Sequence, residues 1–373
     1  MQSDWGDINI EYMISRQRKK VVFFGCPLDC DEREEAVQEK HAVSAVGDFL
    51  DDPNVYILQH FFEKRTFSGK WENAGSIYVE EWLRPIPSKE SLEKVSVKNF
   101  VSFLDADGCQ SYIQKVSRIT KDIYPLCPCL IGVDHCLSSG LLKALTSHVD
   151  PDQITLIILD SHTDALPISI LSDLISYDIE TNKESFYDPN DPFLFNRTDT
   201  INSSSFLFSL ICEGVINPNN LYIIGVSDNP PKRSFRIKDQ RVKNYIEHLN
   251  DLKRKGVKFI TKKDLITSPS KIKSLLKKID TPYLYISIDM DIGARNALNG
   301  VRFLNRQGIN EIKIYKIVNL LKSLINSSIE LIGMDITEFN PRKANPELSG
   351  GKDRTYEIAA NIIKILCFGI PTP

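Results

Sequence analysis

This chain lacks a basic surface, a long apolar run and a cysteine framework. Among its 373 residues, 46 Lys and Arg stand against 49 Asp and Glu, which gives a net charge of −3. That balance is not the basic footprint of a nucleic-acid-binding protein, and no polybasic cluster indicates a membrane surface. No apolar stretch approaches the ~20 residues that span a bilayer. We therefore expect neither nucleic acid nor a membrane among its partners.

The eight cysteines form no pair of CxxC motifs, which argues against a structural zinc knuckle. The N-terminal residues 1–5 are acidic and lack the apolar stretch of a signal peptide. In a chain of this length without such a signal, we expect reduced thiols and a cytoplasmic location.

What the chain does contain is a regular alternation of strand and helix patterns. Helices are predicted at 110–123, 137–147, 205–214, 238–255, 270–279, 310–325 and 356–366. Strands are predicted at 21–25, 129–133, 154–159, 221–225, 257–260, 283–288 and 330–334. Several of these strands are apolar at nearly every position, as parallel strands covered on both faces are. The alternation predicts an α/β fold of three αβα layers with a mostly parallel central sheet.

Two segments do not fit this minimal core. Residues 51–100 lack a clear pattern and are predicted to be irregular. Residues 165–204 form a long excursion in which an apolar helical stretch precedes a polar, proline-containing one. Long excursions are usually lids or disordered inserts, and the position of this one favours a lid or specificity loop. We predict a single catalytic domain over 1–373 that carries both segments.

Six potential metal ligands follow three of the predicted strands: His135, Asp160, His162, Asp164, Asp289 and Asp291. In open parallel sheets the ligand site lies at the carboxyl ends of the strands, where such residues converge. Two histidines and four carboxylates can hold two divalent cations with a water between them. A carboxylate-rich set suits manganese better than structural zinc, although zinc, iron, cobalt and nickel stay open.

Four segments resemble motifs of the ureohydrolase (arginase and agmatinase) superfamily, in that family's order. Residues 132–136, GVDHC, resemble its GGDHS motif, and residues 160–164, DSHTD, resemble DAHxD. Residues 287–291, SIDMD, resemble the start of SxDxDxxDP. Residues 335–341, DITEFNP, are similar to DxxExxP, which carries a guanidinium-binding Glu in that family. The resemblance implies an arginase-like fold and a divergent ureohydrolase.

The resemblance also implies a role for each matching residue. The first metal would be held by His135, Asp160, Asp164 and Asp289, and the second by Asp160, His162, Asp289 and Asp291. Asp160 and Asp289 would bridge the two ions, which are expected to be Mn²⁺. Glu338 would receive the cationic group of the substrate. Asp164 would also accept the proton of the nucleophile and pass it to the leaving amine.

The departures from the family pattern are in the substrate shell. Ala294 and Arg295 stand where the family has Asp-Pro, and Asn202 stands where many members place a proton-shuttling His. Arg295 and Arg302 could face an acidic group of the substrate, but a surface or intersubunit position is favoured for both. The expected substrate is therefore not simply arginine or agmatine.

These observations predict a binuclear-metal hydrolase that cleaves a C–N bond of a small cationic guanidino compound and gives urea and an amine. A formimino or amide C–N hydrolase on the same fold is the first alternative. A catalytically silent binding protein that keeps the metal site is the second. Relatives are commonly oligomers, so a homo-oligomer is compatible with the resemblance, although the sequence leaves the oligomeric state open.

Overall fold

A computed structural model describes residues 19–44, 49–62, 69–185, 187–190, 194–304, 307–327 and 329–371. Its strands are β1 (Val21–Cys26), β2 (Trp71–Ser76), β3 (Cys127–Gly132), β4 (Ile154–Leu159), β5 (Leu221–Val226), β6 (Lys258–Thr261), β7 (Tyr283–Asp289) and β8 (Glu330–Thr337). They form one sheet in the order β2-β1-β3-β8-β7-β4-β5-β6, and every neighbouring pair is parallel. The predicted α/β fold is confirmed.

Helices cover both faces of the sheet. They span Glu34–Ser44, Pro53–Phe61, Val97–Asp105, Cys109–Ile123, Ser138–Leu145, Ile168–Thr181, Phe206–Cys212, Gln240–Arg254, Lys262–Thr267, Pro269–Leu276, Glu311–Ser327, Pro341–Ala344, Pro346–Ser349 and Thr355–Phe368. The core is split into two clusters because alternate strand residues point to opposite faces. Ile157 of β4 belongs to one cluster and Ile158 to the other. This two-sided burial explains why β4 is apolar at every position except Thr155.

The prediction that residues 51–100 are irregular is wrong. This segment contains the helix Pro53–Phe61, which begins where the Asp52 side chain accepts a hydrogen bond from the Asn54 backbone N at 2.9 Å. It also contains β2, which pairs with β1 at the edge of the sheet. The β2 sequence WENAGS has no apolar alternation because an edge strand buries little of its surface. Its pairing with β1 therefore had no local sequence signal.

No described helix combines the length and the apolar character needed to cross a bilayer. All eight cysteines are unpaired, and seven of them are buried. The expectation drawn from the N-terminal residues 1–5 lies outside the described part of the chain.

Candidate metal centre

The predicted ligands lie at the carboxyl ends of three strands, where two short turns present them in pairs. After β4, the Asp160 Oδ1 accepts a hydrogen bond from the His162 backbone N at 2.6 Å. At the end of β7, the Asp289 Oδ1 accepts one from the Asp291 backbone N at 2.7 Å. An Asp that bonds the backbone two residues onward makes a tight turn, and here the turn brings the next ligand to the same edge. The Asp-x-His and Asp-x-Asp spacings thus have one structural cause.

The first group of ligands surrounds the ring of His135, which begins a turn directly after β3 and is fully buried. Its Nδ1 lies 2.7 Å from Asp164 Oδ2, 3.5 Å from Asp160 Oδ2 and 3.4 Å from Asp289 Oδ2. One ligand atom from each of these four residues lies within 4.8 Å of the others. They are close enough to share one cation.

The second group comprises Asp160, His162 and Asp291, whose ligand atoms also lie within 4.8 Å of one another. The His162 Nδ1 lies 2.8 Å from Asp291 Oδ2 and 3.7 Å from Asp160 Oδ1. Asp160 therefore belongs to both groups, as a bridging carboxylate must. Asp289 joins only the first group here, so its bridging role stays a prediction.

The charges of this site fit divalent cations. Burial and the negative charge of nearby Asp160 raise the pKa of Asp164 to about 8. Burial and the carboxylates of Asp291 and Asp160 likewise raise the pKa of Asp289. Asp160 Oδ2 is buried and accepts no hydrogen bond among the described residues. Crowded carboxylates with an unsatisfied oxygen need positive charge, which metal ions would supply.

A chain of hydrogen bonds fixes the ring of His135. Its Nε2 lies 2.8 Å from Ser287 Oγ, and the Ser287 hydroxyl donates to Asp335 Oδ1 at 2.8 Å. Asp335 also accepts a hydrogen bond from the Tyr285 hydroxyl. Because the single Ser287 proton goes to Asp335, the Ser287 oxygen must accept from a protonated Nε2. The lone pair of Nδ1 can then face a cation.

The roles of Ser287 and Asp335 were missed in the sequence, although both residues belong to the recognised motifs. Ser287 lies on β7 and Asp335 on the neighbouring strand β8, at paired positions. Only this strand pairing shows that the two side chains contact each other and that Ser287 contacts His135, on the ring side away from the other ligands.

Glu338, the predicted receptor of a cationic group, is already paired with a cation of the chain. Its Oε1 accepts from the backbone N of His135 at 3.0 Å and from Arg302 Nη1 at 3.0 Å. Arg302 Nη1 also donates to Asp134 Oδ2 at 3.0 Å. The surface or intersubunit position expected for Arg302 is wrong, since this residue is only 5% exposed. Burial, against the pull of Arg302, raises the pKa of Glu338 to about 8.

Both predicted catalytic residues have an unusual backbone. Asp164 has φ of 47° and Glu338 has φ of 63°, in the left-handed region that non-glycine residues seldom adopt. Such conformations persist where the surrounding structure holds them, and they cluster at functional sites. Here the backbone N of Glu338 donates to Val133 O at 2.9 Å, which ties the end of β8 to the turn after β3.

The excursion 165–204 closes on itself next to Asp164. The Leu166 backbone N donates to Ser204 O at 2.8 Å, and Leu207 N donates to Asp164 O at 3.0 Å. Asn202, in place of the family's shuttling His, accepts from the Ser204 backbone N at 2.9 Å and thus stabilises a turn. The role of this segment as a lid stays a prediction.

The model of the arginase family matches residues 84–369. This chain belongs to the arginase family. A search of curated protein sequences finds no match. Members of the arginase family typically bind a binuclear metal centre, and this chain has two groups of His and Asp side chains that could hold metal ions.

Solved structures share the fold at low sequence identity. The arginase from Bacillus caldovelox has a TM-score of 0.56 at 16% identity, with 95% of this chain and 99% of that chain covered. The formimidoylglutamase from Bacillus subtilis has a TM-score of 0.54 at 15% identity, covering 95% and 88%. A formiminoglutamase variant from Trypanosoma cruzi, solved with Mn²⁺, has a TM-score of 0.55 at 13% identity, covering 97% and 98%.

Proposed function

We propose that this chain is a hydrolase that uses two divalent cations, Mn²⁺ first among them, to cleave a C–N bond of a guanidino, amidino or amide compound. The observation that carries the proposal is the convergence of two histidines and four carboxylates in two groups that share Asp160. A family whose solved structures include an arginase and a formimidoylglutamase supports the same chemistry.

The ligand groups have distinct tasks in this proposal. His135, Asp160, Asp164 and Asp289 would hold one cation, and Asp160, His162, Asp289 and Asp291 the other. Two bound cations would supply Lewis acidity and lower the pKa of a water in the site. In the hydrolysis, the oxygen of that water bonds to the planar carbon, the C–N bond breaks, and the amine leaves with a proton.

Asp164 is the proposed proton carrier. Its carboxylate lies in the first ligand group, 2.7 Å from the His135 ring. A water bound to a cation in that group would therefore be within hydrogen-bond reach of Asp164. The left-handed backbone of Asp164 holds the side chain in this place. His162 is the most exposed of the six ligands, with 23% of its side chain accessible, and it marks the edge from which a substrate would enter.

Two substrate types compete within this proposal, and Glu338 discriminates between them. A guanidino substrate requires a carboxylate that is free to pair with a cation. In this chain, Glu338 Oε1 already pairs with Arg302. That contact favours a substrate with an uncharged amide-type C–N bond over the guanidino compound that the sequence leads us to expect.

The proposal is tested by metal analysis and product release. The purified protein, loaded with Mn²⁺, should contain about two ions per chain and release amine from at least one of a panel of guanidines, amidines, amides and ureas. Asp160→Asn should lose both ions and all activity because it removes the shared carboxylate. Asp280→Asn is the matched control, since Asp280 is exposed and lies just before β7, at the opposite end of that strand from Asp289. Two bound ions without turnover of any compound would contradict the proposal.

A further inference from the structure

Arg302 and Glu338 form a buried ion pair where the substrate is expected to bind. Glu338 is 1% exposed, and its Oε1 contacts both the guanidinium of Arg302 and the backbone of the ligand His135. Its other oxygen, Oε2, is buried and accepts no hydrogen bond among the described residues. A buried oxygen of this kind is costly unless a donor reaches it. Glu338 Oε2 is therefore an unused hydrogen-bond acceptor beside the metal ligands, and the other oxygen of the same carboxylate, Oε1, contacts the guanidinium of Arg302.

The backbone of Arg302 is fixed in this position. Its N donates to Glu338 O at 3.1 Å, and its own carbonyl accepts from Arg33 Nη2 at 3.0 Å. The preceding residue Val301 forms a β-bridge with Phe339, directly after Glu338. Gly300 is held as well, because its N donates to Thr355 Oγ1 at 3.0 Å. Arg302 is thus held firmly in the site, and moving its side chain and backbone out would break several hydrogen bonds at once.

The charges around Glu338 are balanced by the chain itself. The carboxylates of this buried set are Asp29, Asp31, Asp134 and Glu338. The cations that pair with them are Arg33, Lys40, Arg302 and Arg342. Arg342 also contacts Glu39, which pairs with Lys343, so with every carboxylate ionised this network has five carboxylates, five cations and a formal charge of zero. An incoming guanidinium would find no uncompensated carboxylate within this network, and it would lie close to the like charge of Arg302.

We propose that Arg302 is the specificity-determining residue of this site, and that it makes the site accept an uncharged amide- or urea-type C–N group and exclude a guanidinium. The proposal rests on the hydrolase function proposed for the metal centre. One N–H of a neutral group would donate to Glu338 Oε2, while Arg302 keeps Oε1. A guanidinium would need both oxygens for a two-point contact, and one of them is taken.

The first test measures binding, so it needs no catalysis. Arg302→Ala removes the internal guanidinium and leaves Glu338 and Asp134 unpaired. Methylguanidinium should then fill the gap and raise the Tm of this variant in a saturable way, as a ligand of the folded state does. It should leave the Tm of the wild type unchanged. If Arg302→Ala does not fold, Arg302→Gln opens the same contact and keeps one side-chain donor.

Two control variants separate this site from general effects of the cation. Arg295→Ala removes an exposed arginine seven residues earlier, and its Tm should not respond to methylguanidinium. Arg302→Ala combined with Glu338→Gln should weaken the response, because one of the two carboxylates left unpaired by the loss of Arg302 is gone. A wild type that binds methylguanidinium as well as the variants do would overturn the proposal. So would folded Arg302 variants that show no saturable response.

The second test compares substrates that differ in one group. The 4-guanidino, 4-ureido and 4-acetamido derivatives of butanoate all release 4-aminobutanoate, so one assay serves the three. In the wild type, the ureido or acetamido compound should have the higher kcat/KM. Arg302→Ala should shift the ratio toward the guanidino compound by roughly 10- to 100-fold, the effect of a charge-assisted contact.

A wild type that prefers the guanidino compound would overturn the substrate class. If neither these compounds nor any member of the wider panel is hydrolysed, the proposed function fails, whereas the binding test still decides the role of Arg302. The two proposals can therefore fail separately.

Discussion

The hydrogen-bond chain behind His135 gives a prediction whose size follows from the structure. Ser287 is 1% exposed and joins His135 Nε2 to Asp335 Oδ1 through two contacts of 2.8 Å. Ser287→Ala removes both contacts and leaves a buried N–H of His135 without a partner. Loss of such an outer partner typically lowers metal affinity about 10- to 100-fold. That range corresponds to about 1.4–2.8 kcal/mol of binding free energy.

The same change should also destabilise the metal-free protein. A buried donor left unpaired costs about 1–3 kcal/mol of unfolding free energy. Thr155→Val is the matched control, since Thr155 is buried in β4 and shares a 2.7 Å hydrogen bond with Thr281, at the amino end of the strands. The control should lose stability without losing metal affinity.

The assay is a Mn²⁺ titration against a chelator of known affinity, with urea unfolding of the metal-free proteins beside it. Ser287→Ala should weaken Mn²⁺ binding at one of two sites, while Thr155→Val binds as the wild type does. Equal metal affinity in Ser287→Ala and the wild type would refute the reasoning, because His135 would then need no outer partner. Equal loss in both variants would show a general effect of destabilisation.

Three further changes have expected outcomes. Asp289→Ala should lose both cations if Asp289 bridges them, and metal analysis that finds one tightly bound ion would assign Asp289 to the first group alone. Gly225→Ala should destabilise the fold and weaken metal binding, because Gly225 has φ of 119° and an added Cβ would lie 2.5 Å from the backbone O of Asp160; wild-type Tm and metal content would contradict this. Shortening the loop between Leu166 and Ile201 should keep two metals bound and change the ranking of substrates, whereas an unchanged ranking in a panel assay would argue against a specificity loop.

The sequence by itself determined seven of the eight described strands and the ligand candidates. Strands such as β4 are apolar at almost every position because both faces are covered, so they stand out without any knowledge of their neighbours. The ligands could be found for a related reason. Each follows such a strand within a few residues, and parallel strands end at one edge of the sheet. The motif order added the expected pairing of ligands with metals.

Only the tertiary structure decided those features that depend on contacts between residues far apart in the chain. The edge strand β2 has no apolar pattern and is a strand only because β1 pairs with it. Ser287 reaches His135 because β7, β8 and β3 are adjacent in the sheet. Arg302 is 36 residues from Glu338 in sequence, and a charged side chain in a loop is expected at the surface. Its burial is possible only because carboxylates from other parts of the fold surround it, and no local pattern carries that information.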